Sequence, residues 1–73
     1  MPYRVSSLTF VGGEHVVNLP GIYEEMTPSI GATIWVDFRG RSIHADVTNV
    51  TKMQSKSPGT AVKVVDDVDA QER

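Results

Sequence analysis

Cysteine is absent from the 73 residues, so no disulfide and no thiolate–metal centre can brace the chain, and cysteine nucleophiles are excluded with them. Helix-favouring aliphatics are scarce: leucine and alanine together number six, against 21 for valine, isoleucine and threonine, a balance that favours strands. Aromatic residues make up 7%, with a single tryptophan, which keeps the core small and the chain near the lower size limit for a domain folding alone. No apolar run approaches the roughly 20 residues of a membrane span, and Met1-Pro2-Tyr3-Arg4 opens no apolar segment of signal-peptide length. A cytoplasmic protein with no membrane partner is therefore expected. With 40% hydrophobic and 22% charged residues, the rest reads as one globular domain.

Alternation of apolar and polar residues is clearest from Ala32 to Thr51, where Ile34, Val36 and Phe38, then Ile43, Ala45 and Val47, occupy every second position. The two runs flank Arg39-Gly40-Arg41 and read as a hairpin. Only an even loop keeps both apolar sets on one face. A two-residue loop Arg39-Gly40 pairs Val36 with Ile43 and Ile34 with Ala45; a tight Gly40-Arg41 turn of type II′, or a four-residue loop, pairs Phe38 with Ile43 and Val36 with Ala45. The second register matches three apolar pairs rather than two and is preferred. It sets His44 opposite Asp37 and Trp35 opposite Asp46.

Gly12-Gly13 marks an earlier hairpin with a two-residue turn, pairing Phe10 with His15 and Leu8 with Val17. Upstream, the apolar face switches between Val5 and Leu8, as a bulge would allow. Residues 22–31, containing Pro28 and Gly31, read as a long connection with at most one helical turn at Tyr23 to Met26. Ser57-Pro58-Gly59 reads as a turn before a last strand with Val62 and Val64 inward. Four acids fall in the eight residues from Asp66 to Arg73, so residues 67–73 are expected to be a disordered acidic tail. Strands are thus expected near residues 3–11, 14–19, 32–38, 42–50 and 60–66. In a chain too small for a sandwich, they point to an all-β domain over 1–66, a small five-stranded SH3-like barrel.

The run from Gly31 to Val47 resembles the G-x-x-[IVL]-x-V-x-x-[RK]-G-[RK]-x-[IV]-x-A-x-V hairpin of many small barrels, including the C-terminal barrel of glycine-cleavage-type aminomethyltransferases. The resemblance spans 17 residues and implies a fold. At most it implies an accessory barrel of a folate or one-carbon enzyme, since folate in that family is held mainly by larger domains.

Catalytic constellations are sparse. Ser42, His44 and Asp46 share one face of a strand, but same-face neighbours stand nearly 7 Å apart, too far for a Ser–His–Asp relay. His44 with Asp37 and Asp46 falls short of a zinc site, which usually takes three well-placed ligands. Gly12-Gly13 leads into a strand rather than the helix a phosphate cradle needs. Asn49-Val50-Thr51 fits the glycosylation sequon, yet with no export signal a strand position explains it better. No enzyme activity, cofactor or metal is expected.

Charge is unevenly distributed: net −3 over residues 1–38, +4 over 39–63 and −3 over 64–73. The parity of the hairpin puts Trp35 outside, unless Tyr23 or Met26 covers it. An exposed tryptophan is a frequent interface anchor. Trp35, Arg39, Arg41 and His44 are accordingly the candidate binding residues of a non-catalytic module. The partner expected is another protein or a second copy, with single-stranded nucleic acid as the alternative ligand of the Trp35/Arg39/Arg41 face.

Overall fold

The computed structural model of the chain describes residues 2–56, leaving aside the side chains of 53–56, and residues 64–73. Five strands form: β1 (Tyr3–Thr9), β2 (His15–Val17), β3 (Thr33–Phe38), β4 (Arg41–Lys56) and β5 (Val64–Glu72). They build one mixed sheet in the order β2-β1-β5-β4-β3, with β1 and β5 parallel and every other neighbouring pair antiparallel. Among the described residues there is no helix, so the fold is all-β, and Tyr23 forms an isolated bridge with Tyr3 where one helical turn was expected. No ladder joins β2 to β3 among the described residues, so hydrogen bonding does not close the sheet into a barrel. The sheet is nevertheless strongly bent. Phe10, just beyond β1, and Phe38, at the end of β3, have ring centroids 5.5 Å apart, whereas the three strand spacings between β1 and β3 would hold them about 14 Å apart in a flat sheet.

The largest departure from the sequence reading is the C-terminus. The segment expected to fray is β5, the central strand, hydrogen-bonded to β1 on one side and β4 on the other. Val68 and Ala70 are buried in the core with Tyr3, Val5, Leu8, Val36, Ile43, Ala45 and Val47. Each acid of this strand meets a donor. Asp66, fully buried, accepts a 2.6 Å hydrogen bond from the Thr27 hydroxyl and lies 3.7 Å from the Lys52 ammonium. Asp67 pairs with Arg4 at 3.3 Å, Asp69 accepts from Ser6 and Ser7, and Glu72 accepts from the Val11 amide. A carboxylate buried without such partners would cost several kcal/mol, and composition does not show whether partners exist. The sheet edges are β2 and β3; residues 60–63 of the last strand expected from the sequence, and the Ser57-Pro58-Gly59 turn, lie outside the described residues.

Asp69 also organises the strands beside it. The register of β1 against β5 slips between Val5 and Ser7, and that of β4 against β5 between Val47 and Asn49, so Ser6 and Thr48 are bulged residues on either side of Asp69. The bulge in β1 is the face switch expected between Val5 and Leu8, both of which are buried. Ser6 Oγ and Ser7 Oγ donate to Asp69 Oδ1 at 2.8 and 2.7 Å, Thr48 Oγ1 donates to the Asp69 carbonyl at 3.2 Å, and the Asn49 side chain also hydrogen-bonds the carboxylate. Burial pushes the Asp69 carboxyl up, but the bonds from Ser7, Ser6 and Asn49, with the charge of His15, outweigh it and hold the group below its ordinary value.

Both hairpins differ in register from the expectation. Gly13, at φ 94°, follows a turn in which its amide donates to the Phe10 carbonyl at 2.9 Å, while the Phe10 amide donates to the Glu14 carbonyl at 2.7 Å. The loop is thus three residues long, with glycine at the left-handed position, and Thr9 rather than Phe10 faces His15 while Leu8 faces Val16. The β3–β4 hairpin uses the two-residue loop Arg39-Gly40, both at positive φ (50° and 75°), a type I′ turn in place of the preferred Gly40-Arg41 turn. Strand twist favours that turn, and its register sets Trp35, not Asp37, opposite His44, and Thr33, not Trp35, opposite Asp46.

Two outcomes follow. A chain ending at Asp66 loses the middle of its sheet and should show no cooperative thermal transition by far-UV circular dichroism, whereas a frayed tail would be removed without loss. Asp69→Asn should destabilise the chain by about 1–3 kcal/mol near neutral pH. Because the folded pKa lies below the ordinary carboxylate value of 3.8, the wild-type advantage is fully present above that value and is lost as the pH falls through the folded pKa. Denaturant titrations of both proteins at neutral and acidic pH measure it, and a difference unchanged at the acid end would contradict this account.

Candidate functional site

Parity fixes which face each hairpin side chain takes, since directly opposed residues share a face and successive residues alternate. Val36 and Ile43 are opposed and buried, which puts Trp35 and His44 together on the outer face. Their rings stack with centroids 4.2 Å apart and planes 10° from parallel, and Trp35 remains 60% exposed. Neither Tyr23 nor Met26 covers it; Met26 is itself exposed. Trp35 is thus a solvent-facing plate with His44 stacked on one side.

Arg39 and Arg41 belong elsewhere. Arg41 opposes Phe38, three pairs along the ladder and therefore on the other face, and the Arg39 guanidinium lies 5.0 Å from the centroid of the Phe38 ring. Both arginines line a cleft of about 320 Å³ with Phe10, Phe38 and Glu14 at the bent end of the sheet. The four candidate binding residues therefore form two groups on opposite faces: an aromatic pair, Trp35 and His44, and a cationic pair, Arg39 and Arg41.

A second cleft, of about 380 Å³, opens at the outer edge of β3, where Trp35 meets Tyr3, Tyr23, Glu25 and Asp37. Tyr3 and Tyr23 stack with centroids 5.0 Å apart, and the Asp37 amide donates to Tyr23 Oη at 2.9 Å, tying the connection after β2 to the edge strand. Both phenols are held above their ordinary pKa. For Tyr3 the causes are burial, then the charge of Glu25 and the neighbouring Tyr23. For Tyr23 burial again leads, and the charges of Asp37 and Glu25 add to it against the lowering by the Asp37 amide bond. Sequence parity places Trp35 and Asp37 outside but gives no hint of Tyr3, Tyr23 and Glu25, because Tyr23 and Glu25 arrive through the irregular connection between β2 and β3, and Tyr3 joins the cleft from β1 by pairing with Tyr23.

The groups considered for catalysis are engaged elsewhere. Asp46 accepts from the Thr33 hydroxyl at 2.9 Å and pairs with Arg73 at 3.5 Å, while His44 stacks on Trp35. Among the described residues no three or more His, Asp or Glu side chains gather as a metal site would require, and no helix is long and apolar enough to cross a membrane. Comparison with known protein families, with curated proteins and with solved structures finds no match.

If His44 braces the indole, His44→Ala should cost about 0.5–1.5 kcal/mol of stability and free the Trp35 side chain. The indole N–H heteronuclear NOE should fall while backbone values of β3 stay unchanged. An indole as rigid in the variant as in the wild type would show that His44 is not the brace.

Proposed function

We propose that the chain is a non-catalytic protein-interaction or assembly module whose contact surface is the outer edge of β3 around Trp35. The observation that carries this reading is a tryptophan 60% exposed yet held by a stacked ring. Such a side chain loses little conformational freedom when a partner covers it, and central aromatic anchors dominate interface energies. A cytoplasmic setting and an SH3-like type of small barrel belong to the same proposal; the Phe10–Phe38 contact supports the latter by drawing the two hairpins together.

Single-stranded nucleic acid would need a stacking plate and phosphate-neutralising cations on one surface. Here the plate has Asp37, Asp46 and Glu25 for neighbours, while Arg39 and Arg41 occupy the opposite face. The split favours a protein ligand. An accessory role beside a folate or one-carbon enzyme rests on the hairpin 31–47 alone, which buried-face alternation already explains, and nothing around Trp35 adds to it.

Self-association is part of the proposal. The acidic C-terminal segment spends its charges inside the chain, on Arg4 and Lys52, rather than on a second copy. Among the described residues Glu14, Glu25, Asp37, Arg39 and Arg41 are exposed and form no ion pair, so their charges are open to a partner.

Immobilised wild-type chain should retain a defined set of proteins from a cell extract, and Trp35→Ala, folded by circular dichroism, should lose them. The same set retained by both would overturn the reading.

A further inference from the structure

The cleft beside Trp35 has a composition that selects a ligand class. Its walls are aromatic: the stacked Tyr3–Tyr23 pair on one side and the indole of Trp35 on the other. His44, from the neighbouring β4, occupies one face of the indole, which leaves the other turned away from β4 toward the open edge. Two carboxylates, Glu25 and Asp37, line the same space, and among the described residues no lysine or arginine does. The charge of Glu25 is felt by both phenols and that of Asp37 by Tyr23, whose hydroxyl also accepts a hydrogen bond from the Asp37 amide at 2.9 Å, so the carboxylates and the rings border one volume. Aromatic faces and uncompensated carboxylates attract the same thing, a cation with an organic body.

The backbone at this edge points to the carrier of that cation. In a two-residue hairpin closed by the Phe38–Arg41 pair, the main-chain groups of even-numbered β3 residues turn toward β4 and those of Thr33, Trp35 and Asp37 turn outward. The Ala32 carbonyl, which accepts from the Val47 amide, and the Asp37 amide, which donates to Tyr23 Oη, conform to this alternation. Thr33 and Trp35 therefore present unpaired strand groups beside the cleft, which an extended segment can meet as an added strand.

We propose that the cleft receives the lysine or arginine side chain of an extended segment of a partner polypeptide laid along the edge of β3. The head group would sit among Tyr23, Trp35, Glu25 and Asp37, its aliphatic stem against the rings. This rests on the reading of the Trp35 edge as the contact surface and gives that surface a ligand chemistry.

The test is an NMR titration of the full ¹⁵N-labelled chain with a capped Ser-Val-Lys-Val-Ser peptide and its norleucine counterpart, which keeps the stem and removes the charge. The lysine peptide should shift the Trp35 indole N–H and the amides of Glu25, Thr33 and Asp37 in a saturable way. Affinity should fall by about fivefold or more for the norleucine peptide and for Glu25→Gln/Asp37→Asn, and also on raising the salt, as expected of a cation held by rings and carboxylates. Equal binding of the two peptides, binding undiminished in the double variant, or no shift around Trp35 would overturn the proposal. A failed peptide titration beside a Trp35→Ala variant that still loses its retained proteins would reject the cation and leave the contact surface standing. Specific lysine binding beside an unaffected Trp35→Ala capture would do the reverse.

Discussion

The Asp69 carboxylate sits in the middle strand of the sheet and gathers Ser6, Ser7 and Asn49 around itself, while Thr48 bonds its carbonyl. Those bonds draw one extra residue out of each neighbouring strand, so β1 and β4 are bulged on either side of it. Bulges bend a strand and increase its twist. A single acid thus stands between two of the bulges that bend the sheet, and in the bent sheet Phe10 meets Phe38 beside a core built from few bulky side chains. Asp66 and Asp67 fasten the same strand to Thr27, Lys52 and Arg4. Because β5 lies between β1 and β4, the strand ladders among the described residues join the N-terminal hairpin to the β3–β4 hairpin through it.

The surface around Trp35 depends on a different local choice. Placing the loop at Arg39-Gly40 asks an arginine to take φ 50°, a conformation that favours glycine, asparagine or aspartate. The type I′ geometry matches the twist of the strands it joins, and Arg39 recovers part of the cost by lying over Phe38. From that one turn follow the opposition of Trp35 and His44, the stack, and the separation of the arginines from the indole. The preferred alternative register would have put a carboxylate beside each of the two rings and left the indole unbraced.

Much of this was legible in the residues. Alternation located β1, β3 and β4, the inward residues Val36, Ile43, Ala45 and Val47, and the bulge after Val5; parity put Trp35 outside. The two hairpin registers were not: at β3–β4 apolar matching counts pairs and does not weigh turn strain, and both even registers keep the same face inward, while Gly12-Gly13 reads equally as a two-residue turn or as the end of the three-residue loop that forms. The acidic end was misread for a physical reason: Asp66, Asp67, Asp69 and Glu72 interrupt the apolar alternation, and only the donors supplied by β1, β4 and the connections make burial affordable. Those donors lie up to 63 residues away in the chain. The Tyr3–Tyr23 stack and Glu25 were out of reach likewise, because an irregular connection brings them to β3.

The central claim is that an acidic segment, Asp66 to Glu72, is the innermost strand of this sheet. Native-state hydrogen exchange of its backbone amides tests it most directly, because protection reports pairing on both edges rather than average secondary-structure content. The account predicts that the amides of 67–71, as a group, exchange among the slowest in the protein, alongside those of Val36 and Val47. Exchange at the rate of an unstructured terminus would contradict it.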